Sequence, residues 1–375
     1  MSKKPTITII GGGLAGLTNA ILLAKAGFEV NLIERKKYPF HRVCGEYVSN
    51  EVLPFLKDLG LNPDNLGAAK ISKLVVSAPN GKQLKANLDL GAFGISRYVL
   101  DHELYKIASA SGVKFILEKK VLDIRFSEEK FEIDLADETL TAHLVIGTFG
   151  KRSNLDQKLK RDFFYQRSPY IGVKYHIKTN FPDDTIQLDN FKGGYCGMSK
   201  IEADLYCLCY LAENKYLKEL GSIPNMEEHI LKKNPHLHQF FNDAEFVWDK
   251  PETINEISFE KKSLVENHIL MCGDTAGMIA PLCGNGMAIA IHSAKILSEN
   301  IIQICMEGLN PQKRNQLEKS YQLAWENQFA LRLKIGRGIQ SLFGSNFLTQ
   351  TAIAGLKIFP SLAQQIVKKT HGKPF

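Results

Sequence analysis

The 375-residue chain predicts an α/β fold in which an antiparallel-sheet lobe is inserted into a Rossmann-type dinucleotide-binding lobe, with a helical segment after both. Three observations carry this reading. The first thirty-four residues form a strand, a glycine turn, a helix and a second strand ending in an acid. Residues 159 to 260 then read as short alternating strands, and a second strand and glycine turn follow at 269–286.

In the opening unit, Thr6 to Ile10 is an apolar β-branched run and Gly11-Gly-Gly13-Leu14-Ala15-Gly16 is the turn. Gly11 allows a tight exit from the strand, Gly13 lets the backbone approach a pyrophosphate, and Gly16 lets the helix pack close to the sheet. The free N–H groups of Leu14 and Ala15 and the positive helix end favour anions there. Glu34 ends the second strand at the distance expected of a carboxylate that accepts from ribose hydroxyls, and Arg35 follows it.

The loop after Glu34 is dense in functional groups: Arg42, where the chain returns toward the phosphates, and Cys44-Gly45-Glu46. A buried small hydrophobe is the ordinary fate of a free cysteine such as Cys44. A helix is expected over Glu51 to Leu59, ended by Gly60, then a hairpin over 71–96 turning at Pro79-Asn80-Gly81. Arg97 opens a helix with an apolar face of Leu100, Leu104, Ile107 and Ala108, in which Asp101 reads as a cap or first-turn acid. Short strands follow at 113–117, 121–126, 131–135 and 144–148, the last running into Phe149-Gly150. The inserted lobe has strands near 171–177, 186–188 and 205–211, interrupted by one helix near 226–233. Cys207 and Cys209 in its last strand read as core packing, and His236 and His238 as solvated loop residues without a matching metal cluster.

The chain then returns to the first lobe. His268 to Cys272 is an apolar strand, Gly273-Asp274 a turn, Pro281, Gly284, Gly286 and Met287 lead into a long apolar helix. An acid placed to hold polyol hydroxyls and a second helix N-terminus suit a longer cofactor than a nicotinamide nucleotide, so the pattern points to FAD. The expected division is 1–70, 97–157 and 262–300 for the cofactor lobe, 71–96 and 158–261 for the substrate lobe, and 301–375 for the helical region. Within the last, Tyr321, Trp325, Phe329 and Leu333 mark a helix that packs on the body before a bend at Gly336-Arg-Gly338.

With 44% apolar and 23% charged residues, the composition is that of an ordinary globular protein. The amino-terminal apolar stretch reads as a strand rather than a secretory signal, and no apolar run reaches transmembrane length. Seven cysteines without CxxC spacing fit a reducing compartment, so a cytoplasmic location is expected. Of the net charge of +7, residues 311–375 carry ten Lys or Arg against Glu318 and Glu326. Interleaving of Phe343, Phe347, Leu348, Ile353, Leu356, Ile358 and Phe359 with Lys357, Lys368 and Lys369 makes peripheral contact with a membrane or a carrier protein a reading beside that of a solvated face. Nucleic acid is not expected, because no binding motif accompanies the charge.

Taken together, Gly11, Gly13, Gly16 and Glu34, the Arg97 to Leu104 helix, and Gly273-Asp274 with Pro281, Gly284 and Gly286 make the chain resemble the FAD-dependent oxidoreductases of the para-hydroxybenzoate hydroxylase fold. The branch it most resembles holds geranylgeranyl reductases, flavin-dependent monooxygenases and halogenases. The resemblance implies a glutathione-reductase-like FAD domain in which Asp274 binds the ribitol or pyrophosphate region, Val121 touches adenine through its backbone, and Arg42 and Arg97 lie beside the cofactor. Gly150, Gly284, Gly286 and Met287 belong to the same implied set, and Cys44-Gly45-Glu46 resembles an element whose cysteine lies near the flavin. Phe149 stands where the family carries Asp. Isolated Trp248 and Trp325 do not form the halogenase Trp-x-Trp element. The implied chemistry is transfer of reducing equivalents, with NAD(P)H as donor, to hydroxylate a lipophilic or aromatic small molecule with O2. The alternatives are reduction of a carbon–carbon double bond, for which Cys44 and Glu46 are the candidate proton donors, and a non-enzymatic lipid-binding protein of the same fold.

Overall fold

The structure, a computed structural model, describes residues 4–166, 168–255, 257–279, 284–342, 349–351, 355 and 372–375. In chain order the first unit is β1 (Ile7–Ile10), α1 (Leu14–Lys25) and β2 (Val30–Glu34). Then come β3 (Tyr47–Ser49), α2 (Leu53–Leu59), β4 (Ala69–Ser77), β5 (Gln83–Gly94) and α3 (Arg97–Ala110). Next are β6 (Lys114–Leu117), β7 (Asp123–Ser127), β8 (Lys130–Asp134), β9 (Thr139–Ala142), β10 (Leu144–Gly147) and α4 (Asn154–Lys158). The insertion holds β11 (Tyr170–Lys178), β12 (Thr185–Phe191), β13 (Gly194–Lys200), β14 (Tyr206–Glu213), α5 (Asn214–Leu220), α6 (Ile223–His229), α7 (Pro235–Asp243), β15 (Glu245–Phe246) and β16 (Glu252–Asn255). The chain closes with β17 (Val265–Glu266), β18 (Ile269–Met271), α8 (Gly286–Cys305) and α9 (Pro311–Leu342).

The first sheet has the order β17-β18-β10-β1-β2-β6 and is parallel except for β17. Its central strands are mostly apolar because both faces are covered, with α3 and α8 packed beside α1 and β8 of the three-stranded sheet β7-β8-β9 against β10: all four residues of β1 and of β10 are buried. The order reverses beside β1, so the crevice between the carboxyl ends of β1 and β10 is the place where such a sheet takes a ligand. The glycine turns at 11–13 and 147–150 both open there.

The second sheet, β15-β11-β14-β13-β12-β4-β5-β3 with β16 on β11, is antiparallel apart from β12 beside β4. Period-two alternation divides its faces. Val173, Tyr175 and Ile177 of β11 pack with Leu208, Tyr210 and the helices α5 to α7. The intervening Gly172, Lys174 and His176 face the other way, toward the loop at 42–46. Residues 47–49, read from sequence with the cofactor lobe, pair with β5 at the edge of this sheet.

Several elements differ from the sequence reading. β9 and β13 were not expected; β13 contains Gly194 and Gly197, which weaken a strand in isolation but are held between β12 and β14. Three helices replace the single one near 226–233. His236 and His238 lie in the first turn of α7, which starts because Asn234 caps it and Pro235 occupies its first position. The expected bend at Gly336 and Gly338 is absent: α9 runs through both, with Tyr321, Trp325, Phe329 and Leu333 buried at four-residue spacing. Among the described residues, no helix is long and apolar enough to cross a membrane. Pro281 and the seven apolar and three lysine positions of the basic tail lie outside the described residues.

Candidate active site

The glycine turn at the end of β1 is built by close contact. Gly11 has φ of +106°, and a Cβ on Gly16 would overlap the Gly11 carbonyl, so α1 can approach β1 only with glycine at both places. Among the described residues, a Cβ on Gly13 would meet only the Arg97 guanidinium, at an ordinary contact distance of 3.8 Å, and α1 begins there without a side-chain cap. That leaves room and amide donors for a diphosphate. Thr148 ties the other wall in place by donating to the carbonyls of Ile10 (3.0 Å) and Gly11 (2.6 Å). Thr275 accepts from the Gly150 amide at 2.8 Å, joining the two loops of the crevice.

Glu34 is buried and accepts from the Gly12 amide (2.8 Å), the Lys36 amide (3.1 Å) and Arg42 (3.2 Å). Asp101 corrects the sequence reading: Ser96 caps α3, and Asp101 is a buried anchor between two arginines. It accepts from Arg97 through two bonds of 2.7 Å and from Arg42 at 3.1 Å. Burial opposes the Arg97 charge, but Asp101 and the Cys44 thiol outweigh it and hold the guanidinium above its ordinary value. The i, i+4 spacing of Arg97 and Asp101 is the signal that marks the pair in sequence.

Glu46 departs furthest from expectation. It is fully buried at φ of +53°, with one carboxylate oxygen on the Arg97 amide (2.8 Å) and Lys174 (2.5 Å) and the other on His176 (2.6 Å). Burial alone would raise its pKa, but hydrogen bonding from His176 and the Lys174 charge bring it below the ordinary carboxyl value. An ionised carboxylate with both oxygens engaged is a poor proton donor, so the role expected for Glu46 falls away. Lys174 and His176 were missed, although two polar residues alternating with Val173, Tyr175 and Ile177 in a central strand signal a lined cavity on that face. With Cys207, Glu46 and His176 have the donor set of a metal site, but Lys174 and His176 already engage both carboxylate oxygens.

One cavity of about 900 Å³ joins these groups. Its cofactor arm is lined by Gly11, Gly13, Leu14, Ala15, Glu34 and Arg35, then by Arg42, Cys44, Gly45, Glu46 and Arg97, and beyond them by Val121 and Gly150. Gly273, Asp274, Gly284, Gly286 and Met287 supply the opposite wall, whereas Gly16 lies behind it as a packing residue. The second arm runs over the large sheet past Leu74, Val76, Leu88, Ile186 and Leu188. Cys209 faces this cavity rather than the core, while Cys207 is buried and donates to the Cys44 carbonyl at 3.3 Å. Phe149 also lines the crevice, so no carboxylate stands at that position.

This glycine cradle, its flanking arginines and the length of the cavity fit FAD, and the comparisons agree. The FAD binding domain family matches residues 4–321. Conditioned medium factor receptor 1 of Dictyostelium discoideum is 26% identical over 360 residues, 86% of this chain and 68% of the relative. Kynurenine 3-monooxygenase of Flavobacterium psychrophilum is 21% identical over 79% of this chain and 72% of its own. Digeranylgeranylglycerophospholipid reductase 2 of Methanopyrus kandleri is 23% identical over 90% and 86%. The flavin-dependent halogenase CmlS shares the fold, with a TM-score of 0.79 at 20% identity, covering 100% of this chain and 74% of that one. The chain belongs to the FAD binding domain family and is an FAD-dependent oxidoreductase of the para-hydroxybenzoate hydroxylase superfamily, in which NAD(P)H is the typical electron donor.

Proposed function

We propose that the protein is a monooxygenase that hydroxylates a lipophilic or aromatic small molecule. The observation that carries the reading is the continuity of the cavity: its cofactor arm opens into an arm walled by Leu74, Val76, Leu88, Ile186 and Leu188. FAD bound in the cradle supplies the reducing equivalents and the reaction with O2. The protein's own residues bind and orient. α1 and Gly13 hold the diphosphate, Glu34 holds ribose hydroxyls, Asp274 and the start of α8 hold the far end, and the sheet keeps the substrate dry against it. Hydroxylation asks little more of side chains than position. Loss of the Glu46 proton to its Lys174 and His176 contacts favours that reaction over one needing a strong acid in the site.

Double-bond reduction is the second reading, supported by Cys44, whose thiol lies beside Arg97 and lines the cavity as a candidate proton source. The cysteines described are all free, which supports a reducing, cytoplasmic setting. The basic tail remains a candidate contact for a membrane surface or carrier.

An absorption spectrum of the purified protein, followed by NADPH with and without oxygen, tests the proposal. A flavin spectrum bleached by NADPH and restored by air, with peroxide released when no substrate is present, is the expected result. Flavin that resists NADPH and accepts electrons only from a strong artificial donor would favour the reductase, with Phe149 in place of Asp as the reason. A protein that cannot be loaded with FAD would sink both.

A further inference from the structure

The loop at 42–46 is tied to the substrate sheet at every second residue. Lys174 of β11 donates to the Arg42 carbonyl (3.2 Å), Cys207 of β14 donates to the Cys44 carbonyl (3.3 Å), and Lys174 and His176 bond the Glu46 carboxylate. The side chains of Arg42 and Cys44 are thereby left facing the cavity. Arg42 continues to the cofactor cradle, reaching the Gly12 carbonyl and Glu34 at 3.2 Å each. Glu46 also takes the first amide of α3, so one carboxylate joins the loop, the helix that carries Arg97 and the substrate sheet.

Lys174 and Glu46 are both 0% exposed, and the Lys174 ammonium lies 5.6 Å from the Trp248 ring. A wholly buried ion pair seldom stabilises a fold more than an apolar pair of equal volume, because desolvation offsets the attraction. What it supplies is a fixed geometry, since neither charge tolerates leaving the other. Glu46 lies below its ordinary value despite burial, and Lys174 above its own because Glu46, with the Cys207 and Cys44 thiols nearby, outweighs the burial that would lower it. Both are therefore charged in the folded protein.

We propose that Lys174 is a positioning residue for the cofactor site, a buried cation on the substrate sheet that, through Glu46 and the Arg42 carbonyl, sets the register of Arg42 and Cys44 against the cavity. The inference rests on the FAD site and holds for hydroxylation and double-bond reduction alike.

The test uses the full chain without FAD, so that it does not depend on turnover. Iodoacetamide modification of Cys44 is followed by mass spectrometry, with Cys305, buried at the carboxyl end of α8 and not part of the cavity lining, as the internal control. FAD affinity is then measured by titration. Lys174→Met should raise the Cys44 rate and weaken FAD about tenfold each, the size expected when one charge-assisted bond is lost, while the Cys305 rate stays the same. Because Lys174→Met strands a buried carboxylate and can prevent folding, Glu46→Gln/Lys174→Met is made beside it. This pair is neutral and should still show the faster Cys44 and the weaker FAD. Wild-type Cys44 reactivity and FAD affinity in the double variant would overturn the proposal. So would an equal rise at Cys44 and Cys305, which marks general loosening rather than lost register.

Discussion

At the scale of single residues, the cofactor cradle depends on what is missing as much as on what is present. Gly16 is the sharpest case, because a methyl group there meets the Gly11 carbonyl and lies 2.9 Å from the Thr148 hydroxyl, both parts of the wall that faces the cofactor. Gly16→Ala should cost about 2 to 3 kcal/mol, the usual price of overpacking a tight contact, and should lower the FAD content of the purified protein. Urea unfolding of the FAD-free protein and the ratio of flavin to protein absorbance would check the two effects separately. Unchanged values of both would mean that α1 can shift without disturbing β1. Asp101 acts at the same scale: it is the shared anchor for Arg42 and Arg97, which gives two cations fixed directions, Arg42 at the Gly12 carbonyl and Arg97 beside Gly13.

At the scale of elements, α9 shows packing overriding local preference. Glycine in a helix interior costs about 1 kcal/mol relative to alanine, and Gly336 and Gly338 together invite a break. The helix nonetheless continues, because Tyr321, Trp325, Phe329 and Leu333 are buried on the body, Arg332 pairs with the buried Glu51 at 3.0 Å and Tyr321 donates to the Met271 carbonyl at 2.6 Å. Among the described residues, a Cβ on Gly338 would meet nothing within 4 Å. Gly338→Ala should therefore raise stability by about 0.5 to 1 kcal/mol, seen as a higher melting temperature with the same flavin content. A lower melting temperature would show that the glycine is kept for its own contacts. The α7 start is the opposite case, where Asn234 and Pro235 state the helix locally and the two histidines that follow are simply its first turn.

At the scale of the whole molecule, residues far apart in sequence tie together the segments that line the crevice. Lys262 donates to the Lys151 and Asp274 carbonyls at 2.8 Å each, and Arg161 donates to those of Ser263 and Thr275 at 2.9 Å. Burial pushes Lys262 from 10.5 down to about 8, against the opposing pull of Asp274 and Asp156. A lysine whose folded value is depressed costs the fold most when both states are protonated, below pH 8. Between pH 8 and 10.5 the unfolded chain holds the extra proton, so stability rises with pH through that window. Relative to Lys262→Met, the wild type should gain up to about 3 kcal/mol from pH 7.5 to 10, measured by urea unfolding of both at each pH. Parallel behaviour of the two proteins would show that Lys262 keeps its proton throughout.

The sequence by itself determined the Rossmann-type lobe, the sheet insertion and most of the first-lobe residues that line the cavity. Those features rest on local rules, in which a glycine turn between an apolar strand and a helix has few other uses and Glu34 follows at a set spacing. Gly11, Gly13, Glu34, Arg42, Arg97 and Asp274 could be read one segment at a time, and the structure places them around one cavity. Only the tertiary structure decided what depends on distant partners. It joined Lys174 and His176 to Glu46 across some 130 positions of chain, turned Asp101 from a helix acid into an anchor, and carried α9 through two glycines. Spacing along the chain cannot show which buried charge will meet which, because the pairing is made by two sheets folding against one loop.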